Sequence, residues 1–101
     1  MAKIVQKKFK WDAVDAPDLA GYRIYIMPGD TVDYSAPFVD VDKDVTELLL
    51  PPDSIEMGEG NYTLGVTPFD AEGNEADLFM VTHPFDLTPP PAVQFAEVVD
   101  A

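Results

Sequence analysis

The sequence contains no cysteine. The chain can therefore form neither a disulfide framework nor a thiolate metal site, and it must fold by packing alone. A domain of 101 residues buries roughly 60–70% of the surface that its unfolded chain exposes, so the margin of stability is narrow. Hydrophobic residues make up 47% of the sequence, which is enough for one core. We predict a single domain that needs no cofactor.

Basic residues are scarce. Only Arg23 and Lys43 are basic beyond position 10, whereas all 19 acidic residues lie there, and the formal charge is −13. Such a surface repels phosphate backbones and anionic lipids, so we expect neither a nucleic-acid nor a membrane partner. The other four basic residues are clustered near the start of the chain, at Lys3, Lys7, Lys8 and Lys10.

Groups that could carry catalysis are also few. The one histidine, His83, stands next to Pro84, and the two serines, Ser35 and Ser54, lie in turn-like contexts. A catalytic histidine needs a nucleophile or an orienting carboxylate, and no pattern of that kind occurs. Neither a Gly-x-Gly-x-x-Gly motif nor a P-loop is present. We predict that the chain is not an enzyme and has no catalytic residues.

The chain shows no targeting signal. The first eleven residues contain lysines but no apolar stretch of signal-peptide length, and no apolar run is long enough to span a membrane. Two alternatives stay open: a cytoplasmic protein, or a module of a longer exported chain.

Short strands account for most of the sequence. Ten prolines and six glycines interrupt it, and between them apolar residues alternate with period two, as half-buried strands require. About seven short strands separated by turns indicate an all-β, two-sheet antiparallel sandwich. The predicted strands cover residues 5–11, 21–26, 46–50, 62–67, 78–83 and 92–99, with one or two short edge strands between 34 and 45.

Four segments resemble the fibronectin type III family, which has an immunoglobulin-like sandwich. Residues 9–11 (Phe-Lys-Trp) resemble the family's second strand with its core tryptophan, and residues 21–25 resemble its third. Residues 60–66 resemble the sixth strand with its corner tyrosine, and residues 69–76 resemble the turn into the seventh. The resemblance covers roughly residues 5–91 in order. It implies a non-catalytic protein-interaction or spacer module.

The sequence departs from the family at its start, because the chain enters almost directly at the tryptophan strand. Residues 88–95 (Thr-Pro-Pro-Pro-Ala-Val-Gln-Phe) instead resemble a linker and the first strand of a following repeat. We therefore divide the chain into a sandwich, 1–87, and a proline-rich hinge with a terminal strand, 88–101. The terminal strand either folds back onto its own sandwich, crosses into a neighbouring copy, or belongs to a tandem array. Effective concentration favours folding back.

Residues 40–44 (Asp-Val-Asp-Lys-Asp) have the acidic spacing of a calcium loop. However, Val45 stands where such a loop needs glycine, and Pro51 where it needs a bidentate glutamate. We interpret the row as a solvated acidic edge that discourages aggregation, and we predict no metal site.

Tyr25, Tyr34 and Phe38 form the candidate binding site. If Tyr22 points into the core, Tyr25 and Met27 point outward, next to the segment that carries Tyr34 and Phe38. An exposed aromatic cluster can anchor a protein interface or stack on sugar rings.

We therefore expect the partner to be another protein or a neighbouring domain. One alternative is a carbohydrate-binding module that uses this cluster. The other is a self-assembling subunit that forms a homodimer or a fibre by exchanging its C-terminal strand.

Overall fold

The computed structural model describes residues 3–101, so the first two residues of the predicted domain lie outside the description. This part of the chain is all-β. Its strands are β1 (Lys7–Lys10), β2 (Leu19–Pro28), β3 (Phe38–Asp42), β4 (Glu47–Leu50), β5 (Glu59–Asp70) and β6 (Phe79–Asp86). Within residues 3–101 there is no helix long and apolar enough to cross a membrane.

The strands form two antiparallel sheets, which confirms the predicted fold class. One sheet has four strands in the order β3-β2-β5-β6, and the other pairs β1 with β4. The register aligns Ile24 of β2 with Val39 of β3 and with Val66 of β5. Because β1 and β4 are only four residues long, the small sheet covers only part of the large one.

The main core lies between the two sheets. Alternation along β2 places Tyr22, Ile24 and Ile26 on the inner face, where each is at most 1% exposed. Phe9 and Trp11 of the small sheet pack against them, and the ring centroids of Trp11 and Tyr22 are 5.6 Å apart. The other buried members are Leu50, Met57, Leu64, Val66, Phe85 and Leu87.

The loop before β5 closes one end of this core. Met57 is buried there, and Ile55 packs against the core beside it. Tyr62 lies at the start of β5, and its hydroxyl accepts a hydrogen bond of 2.8 Å from the backbone N–H of Gly58. The tyrosine thereby joins the strand to its preceding loop.

The terminal segment differs from the prediction. Residues 88–101 are exposed and form no strand, so residues 3–101 contain six strands rather than the predicted number of about seven. The last buried residue is Leu87, whose N–H donates to the carbonyl of Gly58. Pro89, Pro90 and Pro91 follow, and their fixed φ angles carry the chain away from the sandwich instead of back onto it.

Candidate functional site

The outer face of the four-stranded sheet brings the three predicted residues together. The ring of Tyr25 lies 5.7 Å from that of Tyr34 and 5.4 Å from that of Phe38. Tyr25 is on the face opposite Tyr22, as predicted, but its predicted exposure is wrong, because it is only 2% exposed. Tyr34 and Phe38 remain about half exposed.

Tyr25 is buried because two loops fold over this face. Val32 and Ala36 come from the loop after β2, and Leu78 comes from the segment before β6. Gly65 of β5 makes room for them, since a Cβ there would lie 3.0 Å from Val32 and 3.3 Å from Leu78. The period-two pattern shows which face a residue occupies, but it does not show that a loop covers that face.

A polar network closes the same surface. The Tyr25 hydroxyl donates to Glu75 at 2.6 Å, and the guanidinium of Arg23 forms two hydrogen bonds with Asp40 at 2.6 and 2.9 Å. Burial, and next the hydrogen bond to Glu75, raise the pKa of Tyr25. The hydrogen bond to Asp40 raises the pKa of Arg23, so this side chain stays charged. The guanidinium also lies 4.4 Å from the ring centre of Phe38.

The predicted binding aromatics are thus largely engaged within the molecule. Tyr25 is buried, Phe38 lies under Arg23, and the Tyr34 hydroxyl donates to the carbonyl of Ala76 at 2.8 Å. Asp40, the first residue of the acidic row, is paired with Arg23. Glycan binding by the three aromatic residues stays a prediction.

The opposite side of the molecule is open. β1 and β6 are edge strands of different sheets, and side chains from both line the space between them. We call this space the β1–β6 groove. It contains a hollow of about 370 Å³ near Trp11 and Phe79, and another of about 350 Å³ near Lys7 and Phe85.

The small sheet covers only part of the inner face of β6. Alternation places Phe79, Val81 and Phe85 on the side that faces the core. Phe85 is 5% exposed, but exposure rises to 37% at Val81 and 70% at Phe79. In a closed sandwich all three would be buried. The apolar floor of the groove therefore faces solvent where β1 fails to reach across.

The groove also offers hydrogen-bonding groups. Trp11 donates its backbone N–H to Thr46 next to β4, so alternation points the N–H and C=O groups of Lys8 and Lys10 toward the free edge. The indole N–H of Trp11 is buried and has no hydrogen-bond partner among residues 3–101. Such a donor destabilises a fold by about 1–3 kcal/mol. An added strand could pair with these backbone groups.

The rim of the groove carries three lysines, together with Asp12 and Asp77 at the hollow near Trp11. Lys10 borders the hollow at one end, and Lys7 and Lys8 border the hollow at the other. Lys8 pairs with Glu47 at 2.8 Å, and this hydrogen bond lowers the pKa of Glu47. Three of the six basic residues of an acidic chain thus lie around one apolar opening.

His83 lies in β6 with its ring 4.9 Å from that of Phe85, and among the described residues it forms no hydrogen bond with a serine or a carboxylate. Ser35 bonds to Asp33 in its own turn. Residues 3–101 contain no group of three acidic, histidine or cysteine side chains placed to hold a metal.

Sequence reasoning did not predict the groove. The lining residues Phe79 and Val81 were predicted only as part of a strand, because the exposure of an inner face depends on where the other sheet ends. No protein-family model matches the chain, no curated protein matches it, and no solved structure matches it.

Proposed function

We propose that the chain is a non-catalytic protein-interaction module of the fibronectin type III kind, and that it binds an extended segment of its partner in the β1–β6 groove. The observation that carries this proposal is the 70% exposure of Phe79 on the inner face of β6, beside the unpaired edge of β1. Isolated surface aromatics are ordinary, but an inner-face aromatic above a row of free backbone groups is not.

Two features support the fibronectin type III assignment. Near the start of β5, the Tyr62 hydroxyl accepts a hydrogen bond from the backbone N–H of Gly58, a corner contact typical of immunoglobulin-like sandwiches. The sheets also group the strands that the resemblance implies, with the tryptophan strand β1 in one sheet and β2, β5 and β6 in the other. The family's missing first strand would occupy the free edge of β1.

Binding by strand addition combines two kinds of contact. The backbone of the incoming segment pairs with the outward N–H and C=O groups of Lys8 and Lys10, which supplies affinity without sequence preference. Alternate side chains of the segment enter the two hollows, which supplies specificity. Burial of Phe79 and Val81 adds about 25 cal/mol for each Å² of apolar surface removed from water.

Selection of peptides from a displayed random library tests this function. The full-length chain is used at nanomolar concentration, so that contacts between its own copies do not compete. Enriched peptides should alternate apolar and polar residues and should lose affinity for a Phe79→Asp variant. They should bind the matched Met80→Asp variant normally, since Met80 is on the other face of the same strand.

Two results would overturn the proposal. One is that no peptide is enriched on the full-length chain. The other is that enriched peptides bind Phe79→Asp as tightly as they bind the unmodified chain. Circular dichroism and thermal melting of both variants establish that each is folded before binding is compared. Phe79→Ser serves as a second groove variant if the aspartate prevents folding.

A further inference from the structure

We infer that the segment bound in the β1–β6 groove is residues 92–99 of a second copy of this chain. This inference rests on the proposed function, since it names the partner for the same groove. In the single chain this terminal segment is exposed and forms no strand. Its apolar character, its length and its charge suit the groove.

The terminal segment, residues 92–99, is apolar and exposed to solvent. Val93 is 82% exposed, Phe95 74%, Val98 100% and Val99 71%. Residues of this kind are among the most often buried in folded proteins. A run of four in one exposed segment indicates a surface that becomes covered in an assembly.

The length and spacing of the segment suit the groove. Eight residues in extended form span about 26 Å, which equals the span of the eight-residue strand β6 along the groove floor. Val93 and Phe95 are two positions apart, so both would project to the same side of an added strand. That spacing matches the alternation of Phe79 and Val81 on the floor.

The charges are complementary at one end of the groove. The hollow near Phe85 is lined by Lys7 and Lys8 and by no carboxylate, whereas in the hollow near Trp11 the side chain of Lys10 lies with Asp12 and Asp77. The segment and the residue after it carry Glu97 and Asp100 and no basic residue. Elsewhere the segment would meet a mostly acidic surface, because the other three basic residues of the chain are Lys3, Arg23 and Lys43, and Arg23 is already paired. An acidic apolar strand is therefore attracted to the groove more than to the rest of the surface.

The segment does not reach its own groove in this structure. Leu87 is fixed to Gly58, and Asp86 accepts hydrogen bonds from Thr88, so the chain is held where it leaves β6. The three prolines that follow form a stiff extended spacer. The radius of gyration is 18.1 Å, against about 13 Å for a compact domain of this length, because the segment projects outward. Such a projection is placed to enter another molecule.

A complementation experiment tests the inference on full-length chains. The donor variant has lost the ability to donate its segment: Val93→Asp and Phe95→Asp together prevent residues 92–99 from entering a groove, and its own groove is unchanged. In an acceptor variant, Phe79→Asp blocks the groove and leaves the segment unchanged. Met80→Asp is the matched control. Sedimentation equilibrium or light scattering then measures the mass of each protein and of mixtures.

The inference makes a distinct prediction for every sample. The unmodified chain and Met80→Asp should have at least twice the monomer mass of 11.1 kDa at high concentration. Each of the two variants alone should be monomeric. The donor variant has a groove but no segment that can enter it, and the acceptor variant has a segment but no groove that can bind it. Their mixture should form a one-to-one heterodimer, because the donor variant supplies the intact groove and the acceptor variant supplies the intact segment.

Three results would overturn it. The first is an unmodified chain that stays monomeric at every concentration, and the second is a donor variant that keeps the mass of the unmodified chain. The third is a mixture that stays monomeric although both variants are folded. Peptide selection on the groove separates the two proposals: if peptides bind there but the mixture fails, the interaction module stands and its partner is a different protein. The donor substitutions lie on exposed side chains, so the donor result does not depend on tolerance in the core.

Discussion

The two faces of the four-stranded sheet differ in how far their apolar side chains are covered by the rest of the chain. On the outer face, Tyr25 is 2% exposed because loops from the same chain cover it. On the inner face beside β1, Phe79 is 70% exposed because no strand within residues 3–101 covers it. The residue types are similar, and only the covering differs.

The difference separates stability from interaction. The outer side is closed by side-chain packing and by the contacts of Glu75 with Tyr25 and Arg23, so it contributes to folding. The open side leaves apolar area and backbone groups unused, so it contributes little to the single chain and is available to a partner. Substitutions on the two sides should therefore affect different measurements.

The largest expected contrast is between Tyr25→Ala and Phe79→Ala. Removal of a buried aromatic side chain usually lowers the free energy of unfolding by about 3–5 kcal/mol, so Tyr25→Ala should come close to unfolding a marginal domain. Phe79→Ala should lower it by less than about 0.5 kcal/mol in the monomer, as at other exposed positions. Urea unfolding of dilute samples measures both. Equal losses at the two positions would remove the distinction between the two sides.

The next largest effect concerns the space above Gly65. Gly65→Val should force Val32 and Leu78 away from the sheet and lower the free energy of unfolding by about 1–3 kcal/mol, as overpacking does. Gly58→Ala is the matched control, because a Cβ there would meet only Thr88, at 3.6 Å. Thermal melting compares the two variants. If Gly65→Val melts like the unmodified chain, the loops do not pack on the sheet.

A smaller effect should appear at alkaline pH. Burial raises the pKa of Tyr25, whereas the same group in the unfolded chain ionises near its ordinary value of about 10. Its stabilising contribution is thus fully present below that pH and is lost as pH rises above it. The melting temperature should fall more steeply above pH 10 in the unmodified chain than in Tyr25→Phe. Parallel curves would show that Tyr25 is not buried.

The smallest effect concerns the turn at residues 70–74, which precedes the segment that carries Leu78. Asp70 accepts hydrogen bonds from the side chain and backbone of Asn74, and these bonds lower the pKa of Asp70. Its contribution is present above the ordinary carboxyl range and is lost as pH falls through the lowered pKa. Asp70→Asn should melt slightly below the unmodified chain at pH 7, and the difference should vanish in acid. A difference that persists in acid would contradict this role.

The sequence predicted the fold well where local pattern decides the outcome. Alternation placed Tyr22 and Tyr25 on opposite faces of one strand, and the prolines and glycines separated the strands. It could not predict that loops bury Tyr25, because Glu75 and Leu78 lie about fifty residues away and a strand pattern does not show how the nearer loop with Val32 and Ala36 folds. It also predicted a strand over residues 92–99, since period two and β propensity describe a strand without showing whether a pairing edge is near.

The free edge of β1 is the most direct place to test whether the groove accepts a strand from another copy. Hydrogen exchange at the Lys8 and Lys10 amides is measured at rising chain concentration, with the Phe9 amide, which faces β4, as the internal reference. The account predicts fast exchange at Lys8 and Lys10 in dilute samples and protection that grows with concentration, but no such growth in the Val93→Asp, Phe95→Asp variant. Exchange that is fast at every concentration, or already slow in the most dilute sample, would contradict it.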